Sequence, residues 1–202
     1  MRLILVRHGQ TTANASHLLD TAHPGALLTE LGQEQAEALV ERLKDEDIDS
    51  IWTSCLTRTH QTAAPLAEAL GLDINKRHGV REVEAGELEG LGSDEDYASY
   101  LGTVRSWLTG EVEARMGGEN GVQCAEPMAR FDEVVAEIEA TGAKTAVVVT
   151  HGTMMTLWAG IRGEGLLDYL AQGVPTLNTG IGLLEGSLDE GYRALAWMGK
   201  DL

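Results

Sequence analysis

Arg2-Leu3-Ile4-Leu5-Val6-Arg7-His8-Gly9 opens the chain. Four consecutive apolar residues, two of them β-branched, lie between arginines, and a short continuous apolar run of this kind reads as a strand buried on both faces. The run is far shorter than a membrane span, and Arg7 stops it as no signal peptide would stop. A second stretch repeats the grammar: Ala146-Val147-Val148-Val149-Thr150-His151-Gly152. In both, an apolar strand runs into a histidine and then a glycine. Strands buried on both faces belong to sheets covered by helices on each side.

Working outward, strands are also expected at Ile48 to Thr53, Thr176 to Leu184 and Tyr192 to Met198, and Thr145 to Thr150 completes the second stretch. Helical periodicity fills the intervals. Thr29 is an N-cap, and Ala36, Val40 and Leu43 recur at i, i+4, i+7. Further helices are expected at Thr59 to Leu70, with a kink or restart at Pro65 and a stop at Gly71, and at Asp94 to Leu108, Cys124 to Ala140 and Thr153 to Ile161. The alternation predicts an α/β fold, three layers α/β/α around a largely parallel sheet. With 202 residues, the chain is expected to form one domain over 1–202. Residues 78–121, rich in glycine and acidic side chains, interrupt the alternation and are expected to form an excursion covering the active site.

Charge narrows the partners. Against 15 Lys+Arg stand 32 Asp+Glu, a formal net charge of -17, which repels a polyanion and makes nucleic acid an unsuitable partner. No apolar window is long enough for a membrane partner. Cys55 and Cys124 lack CxxC spacing, and such sparse use suits a reducing compartment, so the expected location is cytoplasmic. His17, His23, His60 and His78 show no HExxH or paired Cys/His pattern, so no metal and no other cofactor is expected. A homodimer is compatible with all of this.

In open α/β sheets ligands bind beyond the carboxyl ends of the strands, where His8 and His151 both fall. Arg7 precedes the first histidine, and Arg58 follows a third strand within Thr53-Ser54-Cys55-Leu56-Thr57-Arg58. Gly9 is expected to let the backbone turn and approach a ligand, while Gly152 opens a helix whose N-terminus favours an anion. Two arginines and two histidines at one point are what phosphoryl transfer to nitrogen needs. Guanidinium forks hold the phosphate oxygens, a neutral imidazole attacks phosphorus, and the second imidazole stabilises the charge that develops.

The pattern Arg7-His8-Gly9-x-Thr11-x-x-Asn14, Ser54-x-Leu56-x-Arg58-x-x-x-Thr62-Ala63 and His151-Gly152 resembles the histidine phosphatase superfamily, also called phosphoglycerate mutase-like. Leu28-Thr29-x-x-Gly32-x-x-Gln35-Ala36, the loop from Arg81 to Gly90, and Gly117-Gly118-Glu119-Asn120 extend it, the last with Asn where the family has Ser. The resemblance implies His8 as nucleophile, with Arg7, Arg58, His151 and Gly152 around the phosphate. Asn14 is implied as a phosphate or substrate contact. Glu82 is implied as proton donor; only the resemblance singles it out from its acidic surroundings.

The reading that follows is a phosphomonoesterase acting on a small phosphorylated metabolite through a phosphohistidine on His8. A phosphoglycerate mutase-type phosphotransferase is the alternative, disfavoured by the short chain and by the absence of the basic segment that glycolytic mutases carry. A non-catalytic phosphate-binding regulatory module is a third reading, although such a module has no need of a nucleophile. His151-Gly152-Thr153-Met154-Met155 lacks the arginine that follows the second histidine in many relatives, which leaves the distal part of the substrate open.

Overall fold

The computed structural model describes residues 1–172 and 174–202. In chain order the elements are β1 (Arg2–Arg7), α1 (Thr12–Ala15), α2 (Glu30–Arg42), β2 (Ser50–Thr53), α3 (Thr57–Leu70), β3 (Ile74–Lys76), α4 (Asp94–Leu108), α5 (Ala125–Ala140), β4 (Thr145–Thr150), α6 (Gly152–Arg162), β5 (Gly163–Glu164), α7 (Leu167–Leu170), β6 (Ile181–Ser187), β7 (Gly191–Trp197) and β8 (Lys200–Asp201). One mixed sheet has the order β3-β2-β4-β1-β6-β7-β5, with β8 paired to β7. Strands β3, β2, β4 and β1 are mutually parallel, as their helical crossovers require.

The alternation of side chains along β1 explains the three layers. Ile4 and Val6 pack with Leu39 of α2 and Ala63 and Leu66 of α3 on one face. Leu3 and Leu5 join Phe131 of α5, Met154 and Trp158 of α6, and Val104 and Trp107 of α4 on the other. Every residue of β4, at the centre, is buried.

Several expectations are corrected. The strand expected at Ile48 to Thr53 begins at Ser50. The one expected at Thr176 to Leu184 begins only at Ile181, because Thr176 to Gly180 spend their polar groups on the end of β1: Arg7 N donates to Gly180 O and Asn178 Nδ2 to His8 O. Helix α3 starts at Thr57 and continues through Pro65 to Gly71, whose left-handed φ of 65° ends it. Burial of Ala63, Leu66 and Ala67 against the sheet offsets the one backbone bond that Pro65 removes. Beyond β1, β6 pairs antiparallel with β1 and β7 antiparallel with β6, to which a turn too short for a crossover joins it, while the two-residue β5 lies parallel to β7 at the edge.

The register places the site. Thr53 and Val6 both lie opposite Val149, so β2, β4 and β1 end at the same level. Gly9 serves a close approach of backbone to backbone. A Cβ on Gly9 would stand 2.5 Å from Gly32 O and one on Gly32 2.0 Å from Gln10 O, so the two glycines let the residues after β1 press against the first turn of α2. Gly9→Ala is therefore expected to cost about 1–3 kcal/mol of stability in urea unfolding, the usual range for overpacking against backbone, and to lower activity by displacing His8. Gly102→Ala in α4, where a Cβ meets nothing within 4 Å, should instead stabilise by about 0.5–1 kcal/mol.

Candidate active site

His8 is 3% exposed, and its Nδ1 lies 2.7 Å from Gly9 O. A carbonyl can only accept, so Nδ1 carries the proton and Nε2 is left with a free lone pair. Burial first, then the charges of Arg58 and Arg7, hold His8 well below the usual imidazole range. The ring is neutral at pH 7. Its backbone is pinned on both sides: His8 N donates to Thr150 O (3.0 Å), Gly9 N to Thr62 Oγ1 (2.9 Å), and His8 O accepts from Thr179 N (3.3 Å) and Asn178 Nδ2 (3.1 Å). Thr62, whose hydroxyl donates to Arg58 O at 2.7 Å, therefore ties the nucleophile strand to α3.

His151, fully buried, sits 5.2 Å from His8 between ring centroids at an interplanar angle of 61°. Arg58 Nε donates to its Nδ1 at 3.2 Å, so its Nε2–H points to Ser54 Oγ at 2.8 Å. The serine hydroxyl continues to Thr59 Oγ1 at 3.0 Å, and Thr59 to Leu56 O at 2.8 Å. That relay admits one proton on the ring, and burial together with Arg58, His8, Arg130 and Arg7 holds His151 well below its usual range. In this arrangement His151 orients Arg58, with both ring nitrogens engaged by protein groups.

The two guanidinium groups are fixed differently. Arg58, 2% exposed, donates Nη1 to Asp20 Oδ2 (3.1 Å) and Nη2 to Asp20 O (2.8 Å). Arg7 gives Nη1 to Thr176 O, while its Nε is buried without a partner among the described residues. Gly152 makes room for it: a Cβ there would stand 3.1 Å from Arg7 Nε. Asn14 Oδ1 accepts from Thr11 N and Asn178 Nδ2, both at 3.2 Å, which leaves its Nδ2 to the cavity it lines.

The anion expected at the start of α6 is a protein group. Glu82 Oε1 accepts from Met154 N (2.8 Å) and Val83 N (2.9 Å), and Oε2 from Thr153 N (3.1 Å). Helix α6 thus seats the Glu82 carboxylate with its free amides. Arg130 of α5, pushed down to about 10 chiefly by burial and so still charged at pH 7, donates to the carbonyls of Gly79, Arg81 and Glu82. Tyr100 donates to Val83 O at 2.7 Å. Glu89 accepts from Thr21 N and Ala22 N, which ties this loop to the one that carries Asp20.

Arg7, His8, Asn14, Arg58, Glu82 and Gly152 all line one cavity of about 1130 Å³, with His151 just behind it. Sequence reasoning missed Asp20, Asn178, Thr62 as a strand tie, and Arg130. Asp20 lacked any signal, being one acid among many. Arg130, half-buried beside Phe131 on α5, was one helix arginine among several and carried no distinguishing pattern. Among the described residues, no group of three or more His, Cys, Asp or Glu is placed to hold a metal ion, and no helix is long and apolar enough to cross a membrane.

Comparison with known proteins gives the family. Residues 3–189 match the model of the histidine phosphatase superfamily (branch 1). The chain is 30% identical to phosphoserine phosphatase 1 of Hydrogenobacter thermophilus over 179 residues, 86% of this chain and 82% of that protein. It is 32% identical to the PE-PGRS family protein PE_PGRS11 of Mycobacterium tuberculosis, over 96% of this chain but 36% of that protein, so it spans about a third of that relative. Among solved structures, the mycobacterial glucosyl-3-phosphoglycerate phosphatase with VO3 superposes with a TM-score of 0.80 at 26% identity, over 98% of each chain. This chain belongs to the histidine phosphatase superfamily.

Proposed function

We propose that this chain is a phosphomonoesterase that hydrolyses a small phosphorylated metabolite through a phosphohistidine on His8. The observation that carries the reading is the bond from His8 Nδ1 to Gly9 O, which leaves Nε2 an unprotonated nucleophile beside two arginines. Similar proteins are named as phosphatases, phosphoserine phosphatase 1 and glucosyl-3-phosphoglycerate phosphatase, which supports the reaction class and leaves the alcohol part open.

In this reading Nε2 attacks phosphorus in line and the bond from phosphorus to the ester oxygen breaks. Arg7 and Arg58 hold the phosphoryl oxygens, and Asn14 Nδ2 adds a neutral donor. Glu82, whose Oε2 accepts only one amide, passes to the departing alcohol oxygen a proton that the monoanionic phosphate ester brings into the site. Water then attacks the phosphohistidine, Glu82 takes back a proton, and inorganic phosphate leaves. Arg7 and Arg58 supply the positive charge that Mg²⁺ supplies elsewhere, so turnover needs no metal and no cofactor. Two free cysteines, one of them buried, fit a cytoplasmic enzyme.

Three outcomes test the reading. Labelled substrate quenched at alkaline pH within milliseconds should leave an acid-labile label on the chain, undiminished by chelators; full turnover by His8→Ala, or metal-dependent activity, would contradict it.

Glu82→Gln should lower the rate on alkyl phosphates by roughly 10² to 10⁴ and far less on p-nitrophenyl phosphate, whose leaving group needs no proton. Arg130→Met should show the same leaving-group dependence at about 10 to 10², because it frees the Glu82 backbone without touching phosphate. Equal losses on both substrates would make Glu82 a loop support.

The third concerns pH. The folded pKa of His8 and of His151 is lowered, so below about 6.5 the unfolded chain takes up protons that the folded chain refuses. Stability is then lost as pH falls, by up to about 1.4 kcal/mol per pH unit for each histidine. Urea unfolding from pH 6.5 to 5 should show this slope, and His8→Asn should reduce it; an unchanged slope in the variant would mean that His8 protonates normally in the fold.

A further inference from the structure

The cavity that holds the phosphate end is much larger than a phosphate, and its two ends differ in kind. Around His8 the lining is polar and charged. The rest of the lining includes Leu101, Val104 and Leu108 of α4 and Leu170 of α7, with Arg105 and Asp168 as its charged members. Helix α4, part of the 78–121 excursion, packs against α6 and presents one apolar edge to this space.

Leu101 is 53%, Leu18 40% and Leu167 42% exposed at the mouth. Apolar side chains left open around a concave site are characteristic of a surface that a ligand covers. The charged groups along the wall do not suit a second anion. Asp20 is committed to Arg58, and Arg105 and Asp168 are exposed and opposite in sign. A carboxylate or second phosphate there would lie among leucines in a chain of net charge -17. In-line attack by Nε2 sends the leaving oxygen away from His8, so the leaving alcohol is the part of the substrate that occupies this end.

Resting on the phosphatase reading above, we infer that the apolar end of the cavity binds the leaving group, and that the substrate is the phosphate monoester of an apolar alcohol long enough to reach Leu101 and Leu170. Leu101, Val104 and Leu170 determine that specificity. It follows that the reaction releasing this product hands on an apolar alcohol, not a hydroxy acid.

Methyl-, butyl- and octylphosphonate share one headgroup and differ only in apolar length, so their binding by calorimetry reads the distal subsite without turnover. Affinity should rise about two- to fourfold per methylene, up to the limit set by apolar transfer. Leu101→Glu, at a position open enough to tolerate the change, should cut the octyl-to-methyl affinity ratio at least tenfold. A flat series overturns the inference. So does tighter binding of 3-phosphoglycerate than of octylphosphonate that is lost in Arg105→Ala, which would make the distal subsite anionic. Hydrolysis of p-nitrophenyl phosphate reports separately: a steep phosphonate series without any hydrolysis would keep the apolar subsite and sink the phosphatase reading.

Discussion

Burying two guanidinium groups against two imidazoles is the constraint on which the rest of the site depends. Charges removed from water are costly unless each donor finds a partner. Arg58 meets the cost with Asp20, through side chain and backbone carbonyl, and with Nδ1 of His151. Burial first, and then the charge of the neighbouring guanidinium groups, keeps both imidazoles neutral. A positive pocket is thereby built without protonated histidine, and the nucleophile keeps its lone pair.

Holding that cluster has determined the surrounding loops. Thr176 to Gly180 give up strand pairing to cap the end of β1. The loop after β3 is laced to α5 by Arg130, to α4 by Tyr100 and to the N-terminus of α6 by Glu82. Glu89 then joins it to the segment bearing Asp20. A carboxylate expected to donate a proton and an arginine expected to bind phosphate are therefore parts of one network, and displacement of either loop is felt at both. Among the described residues, the exposed Arg105 is the one cation besides Arg7 and Arg58 in the lining of this cavity.

The sequence by itself determined the core strands, the helices between them and the residues that follow β1, β2 and β4. These were legible because an apolar run between arginines, or a 3.6-residue stripe behind Thr29, is a local signal that burial on both faces of a sheet enforces. Since the parallel strands end at one level, His8, Arg58 and His151 had to meet. Tertiary structure alone decided the rest: which nitrogen of each histidine carries the proton, that Asp20 holds Arg58, that the helix beside His151 seats Glu82 and not a ligand, and that Gly9 makes way for Gly32. The contacts responsible join residues 38, 72 and 169 positions apart, in the pairs Asp20–Arg58, Glu82–Met154 and Arg7–Thr176. No local pattern encodes them, because a hydrogen bond to a distant backbone carbonyl or amide leaves no mark on the side chains around it.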